Sequence, residues 1–355
     1  MNAKTEKLAA FLTEGEAALV TAPHERRYLT GFASSDGYVL VTREESWFLT
    51  DSRYIEAAQR QIRDMPCLCY QNAGEALKEL LARCGVVRLH VGSRTVTVEA
   101  YEGFRRRFAS CEVTAGVLDG WMGGLRRVKT PDEIDKLRQA QALTEAGFDY
   151  ILPAIRPGRT EREIALDLEF FIRRQGAEGV SFEFIVVSGA NSSLPHGVPT
   201  DKPVERGDFV TMDFGALVDG WHADMTRTVA VGEPDEEQRA VYETVLRAQL
   251  AALEVLRPGL LCTQGDAAAR GVIEQAGYGG FFGHATGHGV GVEIHEEPRL
   301  SPRSREERLE PGNVVTVEPG VYLPGKFGVR IEDMAVITEN GCENLTKSPK
   351  SLLIL

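Results

Sequence analysis

The chain is 355 residues long, more than one core comfortably serves and sized for two domains. With 43% apolar and 26% charged residues it has an ordinary globular composition, and its net charge of −12 argues against a nucleic-acid or anionic-membrane surface. No apolar run approaches the ~20 residues of a spanning helix, and the start MNAKTEKLAAFLTEGEAALV has no signal-peptide pattern, so a cytoplasmic address is expected.

Residues 3–14 carry an amphipathic helical pattern and residues 17–21 a short apolar strand. Strands follow at 37–41 and 46–50 across the polar turn 42–45, then helices at 54–63 and 74–84, a strand at 87–91 and a helix near 97–107. This alternation predicts an α/β domain with a mixed sheet. His24 and His90 stand alone and are read as hydrogen-bonded structural residues. Cys67 and Cys69 form one close pair, but no second pair completes a zinc site, so these two and Cys84, Cys111, Cys262 and Cys342 are read as free thiols.

At 120–129 the composition changes: Gly120, Gly123 and Gly124 are expected to loosen the chain ahead of Arg126, Arg127 and Lys129. The domain boundary is accordingly placed between residues 1–124 and 125–355. Thr130-Pro131-Asp132-Glu133 is a capping box with proline at the first helical position, opening a helix to about residue 152. Thr160 and Glu163 repeat the spacing for a helix to about 175. Beyond Gly179, strands are predicted at 184–188, 209–214, 222–231, 314–317 and 329–337, and helices at 235–256 and 262–277. A glycine-rich stretch at 279–297 and a polar C-terminal tail complete an α+β domain.

Within that domain, residues 210–228 (VTMDFGALVDGWHADMTRT) read as two strands joined by Asp219–Gly220. An Asp-Gly loop favours a type I′ turn, with positive φ at both positions. Counting outward, Val218 faces Trp221, Asp224 lies opposite Gly215 and Asp213 opposite Thr226, so the aspartates share one face as diagonal neighbours. They would repel each other without positive charge between them, which suggests a pair of metal ions.

Three further pieces are of the same kind. GHATGHGVGVEIHE holds His284, His288 and His295 on a glycine-rich bend; Val292 breaks the G-x-G-x-x-G pattern of a nucleotide loop, which is rejected. NVVTVEPG and GVRIEDMAVI put Glu318 and Glu332 on apolar strands, where an unpaired carboxylate is costly, with Arg330 on the face of Glu332. Asp213, Asp224, Glu318, Glu332 and His288 together balance two divalent cations. Oxygen ligands with one imidazole favour Mn²⁺ without excluding Co²⁺ or Zn²⁺, and the lack of a thiolate speaks against structural zinc.

The strings LPHG, MDFG, HADMTRT, GHGVGVEIHE, TVEPGVY and GVRIED, in this order, resemble the pita-bread dinuclear metallopeptidases. They are most similar to the proline-specific branch, aminopeptidase P and Xaa-Pro dipeptidase (prolidase). RYLTGF at 27–32 and LTDSRY at 49–54 resemble the creatinase-like domain that precedes the catalytic domain there. The resemblance implies an α/β creatinase-like N-terminal domain followed by an α+β pita-bread catalytic domain. It also implies hydrolysis of the Xaa-Pro bond at peptide N-termini or in dipeptides through a metal-bridging hydroxide.

Residue by residue, Asp213 would chelate one metal with both oxygens, Asp224 and Glu332 would bridge, and His288 and Glu318 would bind the other metal. His196, His284 and His295 would contact substrate and developing charge, Arg330 would orient Glu332, and Glu318 would shuttle the proton to the leaving amine. Phe182 and Ile294 could line the proline pocket. Arg299 resembles an arginine that in some prolidases meets a dipeptide's carboxylate. His222 matches no functional position. The expected substrate is a peptide with proline second and the expected assembly a homodimer. A methionine aminopeptidase would resemble only the catalytic half, a creatinase-like hydrolase would work without metal, and a non-catalytic pita-bread binding protein would have lost ligands. Dipeptide against longer substrate stays open.

Overall fold

The computed structural model describes residues 1–355 and divides into two units, Met1–Arg126 and Arg127–Leu355. In chain order the first contains α1 (Ala3–Ala9), β1 (Glu16–Val20), α2 (Pro23–Thr30), β2 (Tyr38–Thr42), β3 (Ser46–Thr50), α3 (Ile55–Gln61), β4 (Cys67–Cys69), α4 (Ala73–Arg83), β5 (Arg88–Val91), α5 (Val98–Arg107), β6 (Glu112–Ala115) and α6 (Val117–Arg127). The strands form one sheet in the order β4-β3-β2-β1-β5-β6, antiparallel across β1, β2 and β3 and parallel elsewhere, as the alternating pattern predicted.

Three expectations in this half need correction. The helix expected over 3–14 ends at Ala9, because the chain must turn through Gly15 (φ +77°) to enter β1. Helix α2 was missed, although Pro23 stands in its first turn and Gly31 (φ +70°) ends it in the left-handed region. The glycines expected to loosen residues 120–129 lie inside α6. Leu118 and Met122 are buried one turn apart, and a Cβ at Gly120, Gly123 or Gly124 would meet nothing within 4 Å, so the helix needs no side chain on that face.

The second unit contains α7 (Pro131–Ile151), α8 (Glu161–Arg174), β7 (Gly179–Val180), β8 (Ile185–Ser188), β9 (Phe209–Phe214), β10 (Ala216–Val218), β11 (Trp221–His222), β12 (Met225–Ala230), α9 (Glu236–Val255), α10 (Cys262–Gln275), β13 (Gly287–Gly289), β14 (Glu296–Leu300), β15 (Val314–Val317), β16 (Gly320–Leu323), β17 (Phe327–Arg330), β18 (Asp333–Thr338) and β19 (Gly341–Asn344). Helices α7 and α8 each open on a reciprocal capping box, Thr130 with Glu133 and Thr160 with Glu163, and Asp235 with Gln238 caps α9 in the same way.

Helices α7 and α8 bury Phe148, Ile151, Ile164 and Leu168 against Val186, Met212, Phe214 and Val229 of the sheet β12-β9-β8. Helices α9 and α10 bury Val241, Val245, Ala248 and Ile273 against Val315, Val317 and Ala335 of the sheet β14-β13-β15-β18-β19. Because side chains alternate along a strand, placing Val210, Met212 and Phe214 in the first core sends Thr211 and Asp213 to the opposite face of β9.

The hairpin has the counted register. Asp219 (φ +49°) and Gly220 (φ +78°) make the turn, Val218 pairs with Trp221, and Asp213 pairs with Thr226. It is not two unbroken strands, however. Its outer part, β10 and β11, joins β7, while its inner part, β9 and β12, joins β8. The break falls at Gly215 and Asp224, where a Cβ on Gly215 would stand 1.8 Å from the Ala223 carbonyl oxygen. The strand expected at 329–337 also breaks, at Ile331–Glu332: β17 pairs with β16, and β18 with β15 and β19. Period-two patterning reports burial on a face and is blind to a change of partner. The expected polar tail likewise begins with a strand, β19, and further on Leu355 donates to the Ala230 carbonyl at 2.8 Å. No helix is long and apolar enough to cross a membrane.

Gly120→Ala should therefore stabilise the chain by about 0.5–1 kcal/mol, as an exposed helical glycine with free space around it. Gly215→Ala should cost at least about 1–3 kcal/mol. Thermal and urea unfolding of the two variants measure both, and an unchanged Tm for G215A would contradict the close crossing at the hairpin break.

Candidate metal centre

The strand breaks deliver side chains to one place. Asp213 comes from β9, Asp224 from the gap before β12, His288 from the middle of β13, Glu318 from just past β15, and Glu332 from the gap between β17 and β18. All five line a cavity of about 990 Å³, together with His196, His284, His295, Arg330, Phe182, Ile294 and Arg299. Every site residue expected from the sequence is thus brought to one cavity. His222 does not line it; its backbone N–H donates to the Gly291 carbonyl at 2.9 Å.

Ligand atoms of Asp224, His288 and Glu332 lie within 4.8 Å of one another. His288 Nδ1 donates to the Gly289 carbonyl at 3.0 Å, which leaves Nε2 as the atom facing Asp224 Oδ2 at 3.5 Å and Glu318 Oε1 at 3.4 Å. Burial, then the neighbouring His295, pushes His288 down to about 3, so its ring is neutral at ordinary pH and Nε2 carries a lone pair. Once Asp224 and Glu318 are ionised, that lone pair faces two carboxylate oxygens with no proton between them. A cation held there would turn that repulsion into coordination.

The carboxylates show the same incompleteness. Asp213 Oδ2 accepts from Arg330 Nη2 at 2.6 Å while its buried Oδ1 has no hydrogen-bond partner. Glu332 Oε2 accepts from Thr226 Oγ1 at 2.6 Å while its buried Oε1 has none. One oxygen of each is held by the protein and the other is left bare. Burial first, then the surrounding carboxylates, raises Asp224 and Glu332 well above the usual range, and burial raises Glu318 to about 8. Oxygen donors with one imidazole and no thiolate fit divalent cations.

Three of the expected site residues have protein partners that their motifs did not indicate. Arg330 was expected to orient Glu332, but its ion pair is with Asp213; it reaches Glu332 only through Thr226, whose Oγ1 accepts from Arg330 Nε at 3.0 Å. That ion pair also occupies one of the two oxygens with which Asp213 was expected to chelate. His284, expected at the substrate, has both ring nitrogens engaged: Nδ1 donates to the Ala285 carbonyl at 2.8 Å and Nε2 accepts from Tyr322 Oη at 2.9 Å, while Tyr322 accepts from Arg330 Nη1 at 2.8 Å. Burial lowers His284 to about 4, in keeping with a neutral ring. His295 is exposed, with its ring centroid 4.4 Å from that of His288.

Sequence reasoning missed three residues. Thr226 lies two positions from Asp224 and shares its strand face, so period-two counting could have found it. Tyr322 reaches the site because β16 folds onto β17, and no local pattern signals that. Glu161 is fully buried in the first turn of α8 and accepts from Ser188 N (2.7 Å) and Oγ (2.9 Å), Asn191 Nδ2 (3.1 Å), and Thr200 N (3.0 Å) and Oγ1 (2.6 Å). It ties together both ends of the loop that carries His196 and Pro195, whose carbonyl accepts from Arg330 Nη1 at 3.2 Å.

Residues 135–339 match the model of Metallopeptidase family M24, and residues 6–128 that of the Creatinase/Prolidase N-terminal domain. The chain belongs to metallopeptidase family M24. It is 36% identical over 356 residues to a Xaa-Pro dipeptidase of Pyrococcus furiosus, covering 99% of this chain and 100% of that one. Among solved structures, a Xaa-Pro dipeptidase from Bacillus anthracis superposes with a TM-score of 0.95 at 42% identity over 99% of both chains. An X-Pro aminopeptidase from Thermotoga maritima superposes with a TM-score of 0.92 at 37% identity, over 98% of this chain and 100% of that one. The unit built from α7 to β19 is accordingly a pita-bread metallopeptidase domain, preceded by a creatinase-type α/β domain, and the family's chemistry depends on divalent metal.

Two outcomes are expected. In metal-free protein, a carboxyl whose folded pKa is raised stabilises the fold while protonated. That contribution is full below the ordinary carboxylate value and is lost as pH rises through the folded one, about 8 for Glu318. Metal replaces those protons, so Mn²⁺ added to chelator-stripped protein should raise Tm, and by more near pH ~8 than near pH ~6; an equal shift at both would contradict the arrangement. Glu161→Ala strands several buried donors and should cost about 3 kcal/mol or more, with E161Q costing less, as measured by urea unfolding.

Proposed function

We propose that this metallopeptidase hydrolyses the bond before proline at the N-terminus of short peptides, Xaa-Pro dipeptides included, with two divalent cations held by Asp213, Asp224, His288, Glu318 and Glu332. The observation that carries the metal reading is the neutral His288, its Nε2 lone pair turned on two carboxylate oxygens beside the bare Asp213 Oδ1 and Glu332 Oε1. The proline reading is supported by full-length similarity to proteins named Xaa-Pro dipeptidase and X-Pro aminopeptidase. Among divalent ions the donor set favours Mn²⁺.

Such cations supply Lewis acidity and a water acidic enough to attack a carbonyl near neutral pH. The chain's own residues supply placement and protons. Arg330 holds Asp213 in one orientation, and Thr226 passes that order to Glu332. Glu318, steadied by Thr316 Oγ1 at 3.3 Å and less buried than Glu332, is the group placed to carry a proton to the leaving nitrogen. With both nitrogens of His284 engaged, the exposed His295 and His196 are the imidazoles open to the cavity and fit hydrogen bonding to the carbonyl oxygen as charge develops on it. Phe182 and Ile294 give the pocket apolar wall for a pyrrolidine ring. Proline's nitrogen has no hydrogen in the peptide, so the pocket needs no acceptor for it.

Purified protein with Mn²⁺ should cleave peptides with proline second at least ~100-fold better than those with alanine second. Asp224→Asn should lose bound metal and at least ~1000-fold in kcat. Equal cleavage of both peptide series, or none with Mn²⁺, Co²⁺ or Zn²⁺, would refute the reading.

A further inference from the structure

Arg227 follows Thr226 on β12, so its side chain leaves the opposite face of the strand. It is the largest fully buried side chain in the protein. All five of its N–H donors are engaged. Nη1 donates to the carbonyls of Thr226 (2.9 Å) and Glu332 (2.6 Å), Nη2 to Asp333 Oδ1 and the Ser348 carbonyl (both 2.8 Å), and Nε to the Pro349 carbonyl (3.0 Å). Asp333 is buried too, and its other oxygen accepts from Gln249 Nε2 at 2.9 Å and from Asn344 Nδ2 and Lys350 Nζ at 2.7 Å each. The segment that follows β19 is thereby fastened at Ser348, Pro349 and Lys350, and Tyr242 Oη adds a bond to the Lys350 carbonyl at 3.0 Å.

Two adjacent pairs therefore clamp the break between β17 and β18. On one side Thr226 Oγ1 holds Glu332 Oε2 at 2.6 Å; on the other Arg227 holds Asp333 and the Glu332 carbonyl, while the Glu332 N–H donates to the Thr226 carbonyl at 3.1 Å. A buried ion pair is by itself a weak stability device, because desolvation offsets its attraction and apolar residues of the same volume often serve as well. What no apolar residue supplies is a planar fork that bonds the Thr226 and Glu332 carbonyls on one side and the Ser348 and Pro349 carbonyls on the other. We propose that Arg227 is a positioning residue for Glu332 and joins the 348–350 segment to the metal centre, so that docking of this segment and binding of a divalent cation strengthen each other. Such coupling is reciprocal: the factor by which the docked segment tightens metal binding is the factor by which metal tightens docking. This rests on the reading of Glu332 as a metal ligand and adds the support behind it.

The test titrates Mn²⁺ into the chelator-stripped whole chain by calorimetry, at a temperature where circular dichroism shows each variant folded. Arg227→Lys keeps a charge opposite Asp333 but offers only a compact ammonium on a flexible stem, and should bind Mn²⁺ about 10- to 100-fold more weakly. Lys350→Met removes one bond to Asp333, touches no proposed ligand and should weaken binding severalfold; it carries the test if R227K does not fold. In the unaltered protein Mn²⁺ should slow amide hydrogen exchange at Lys347, Ser348 and Lys350 severalfold, and Lys350→Met should reduce that protection. Folded variants with a lower Tm but an Mn²⁺ affinity within about twofold of the unaltered protein, or exchange at these amides that ignores Mn²⁺, would overturn the inference and leave the metal reading standing. No uptake of Mn²⁺, Co²⁺ or Zn²⁺ by the unaltered protein would overturn both.

Discussion

Four carboxylates cannot share a buried cavity without positive charge to offset them, and the catalytic unit is arranged around that constraint. Within the protein the guanidinium bonded to that set is Arg330, which divides its hydrogen bonds among Asp213, Thr226, Tyr322 and the Pro195 carbonyl. That is enough to fix orientation and too little to neutralise the set. Desolvating a carboxylate costs several kcal/mol even after relaxation, so the bare oxygens of Asp213 and Glu332 are tolerable only beside bound cations or retained protons. Burial first, and then the carboxylates' own mutual repulsion, shifts Asp224, Glu318 and Glu332 upward.

Bringing the carboxylates together is the work of interrupted strands. A regular strand presents alternate residues to one flat face, whereas a metal site needs donors around a point. The chain meets that need by changing sheet at Gly215–Asp224 and again at Ile331–Glu332, so that Asp224 and Glu332 stand at gaps in the ladders. Glycine makes the first change possible, and the Glu332 N–H, released from a ladder, donates to the Thr226 carbonyl at 3.1 Å. Helix pairs α7/α8 and α9/α10 back the two sheets from outside and leave the inner faces to polar residues.

Where local rules govern, the elements were legible: the capping boxes at Thr130 and Thr160, the hairpin turn, and the strands at 46–50, 209–214 and 314–317 all follow from a few adjacent residues. Reading failed where one local signal competed with another. Three glycines outweighed the Leu118 and Met122 spacing in α6, and period two ran across the break at Glu332. In the site, residue types and their assembly were legible because carboxylates on apolar strands are anomalous anywhere. Their individual hydrogen bonds were not, as the partner of Arg330 and the engagement of His284 by Tyr322 depend on which strands meet.

By itself the sequence determined the cluster of candidate carboxylates and histidines, the hairpin register and the family, since these depend on residue identity, spacing and turn chemistry within short windows. The tertiary structure alone decided which oxygens of Asp213 and Glu332 are bare and which histidines remain open to the cavity. Those outcomes depend on distances between segments far apart in the chain, and such distances exist only once the sheets have packed.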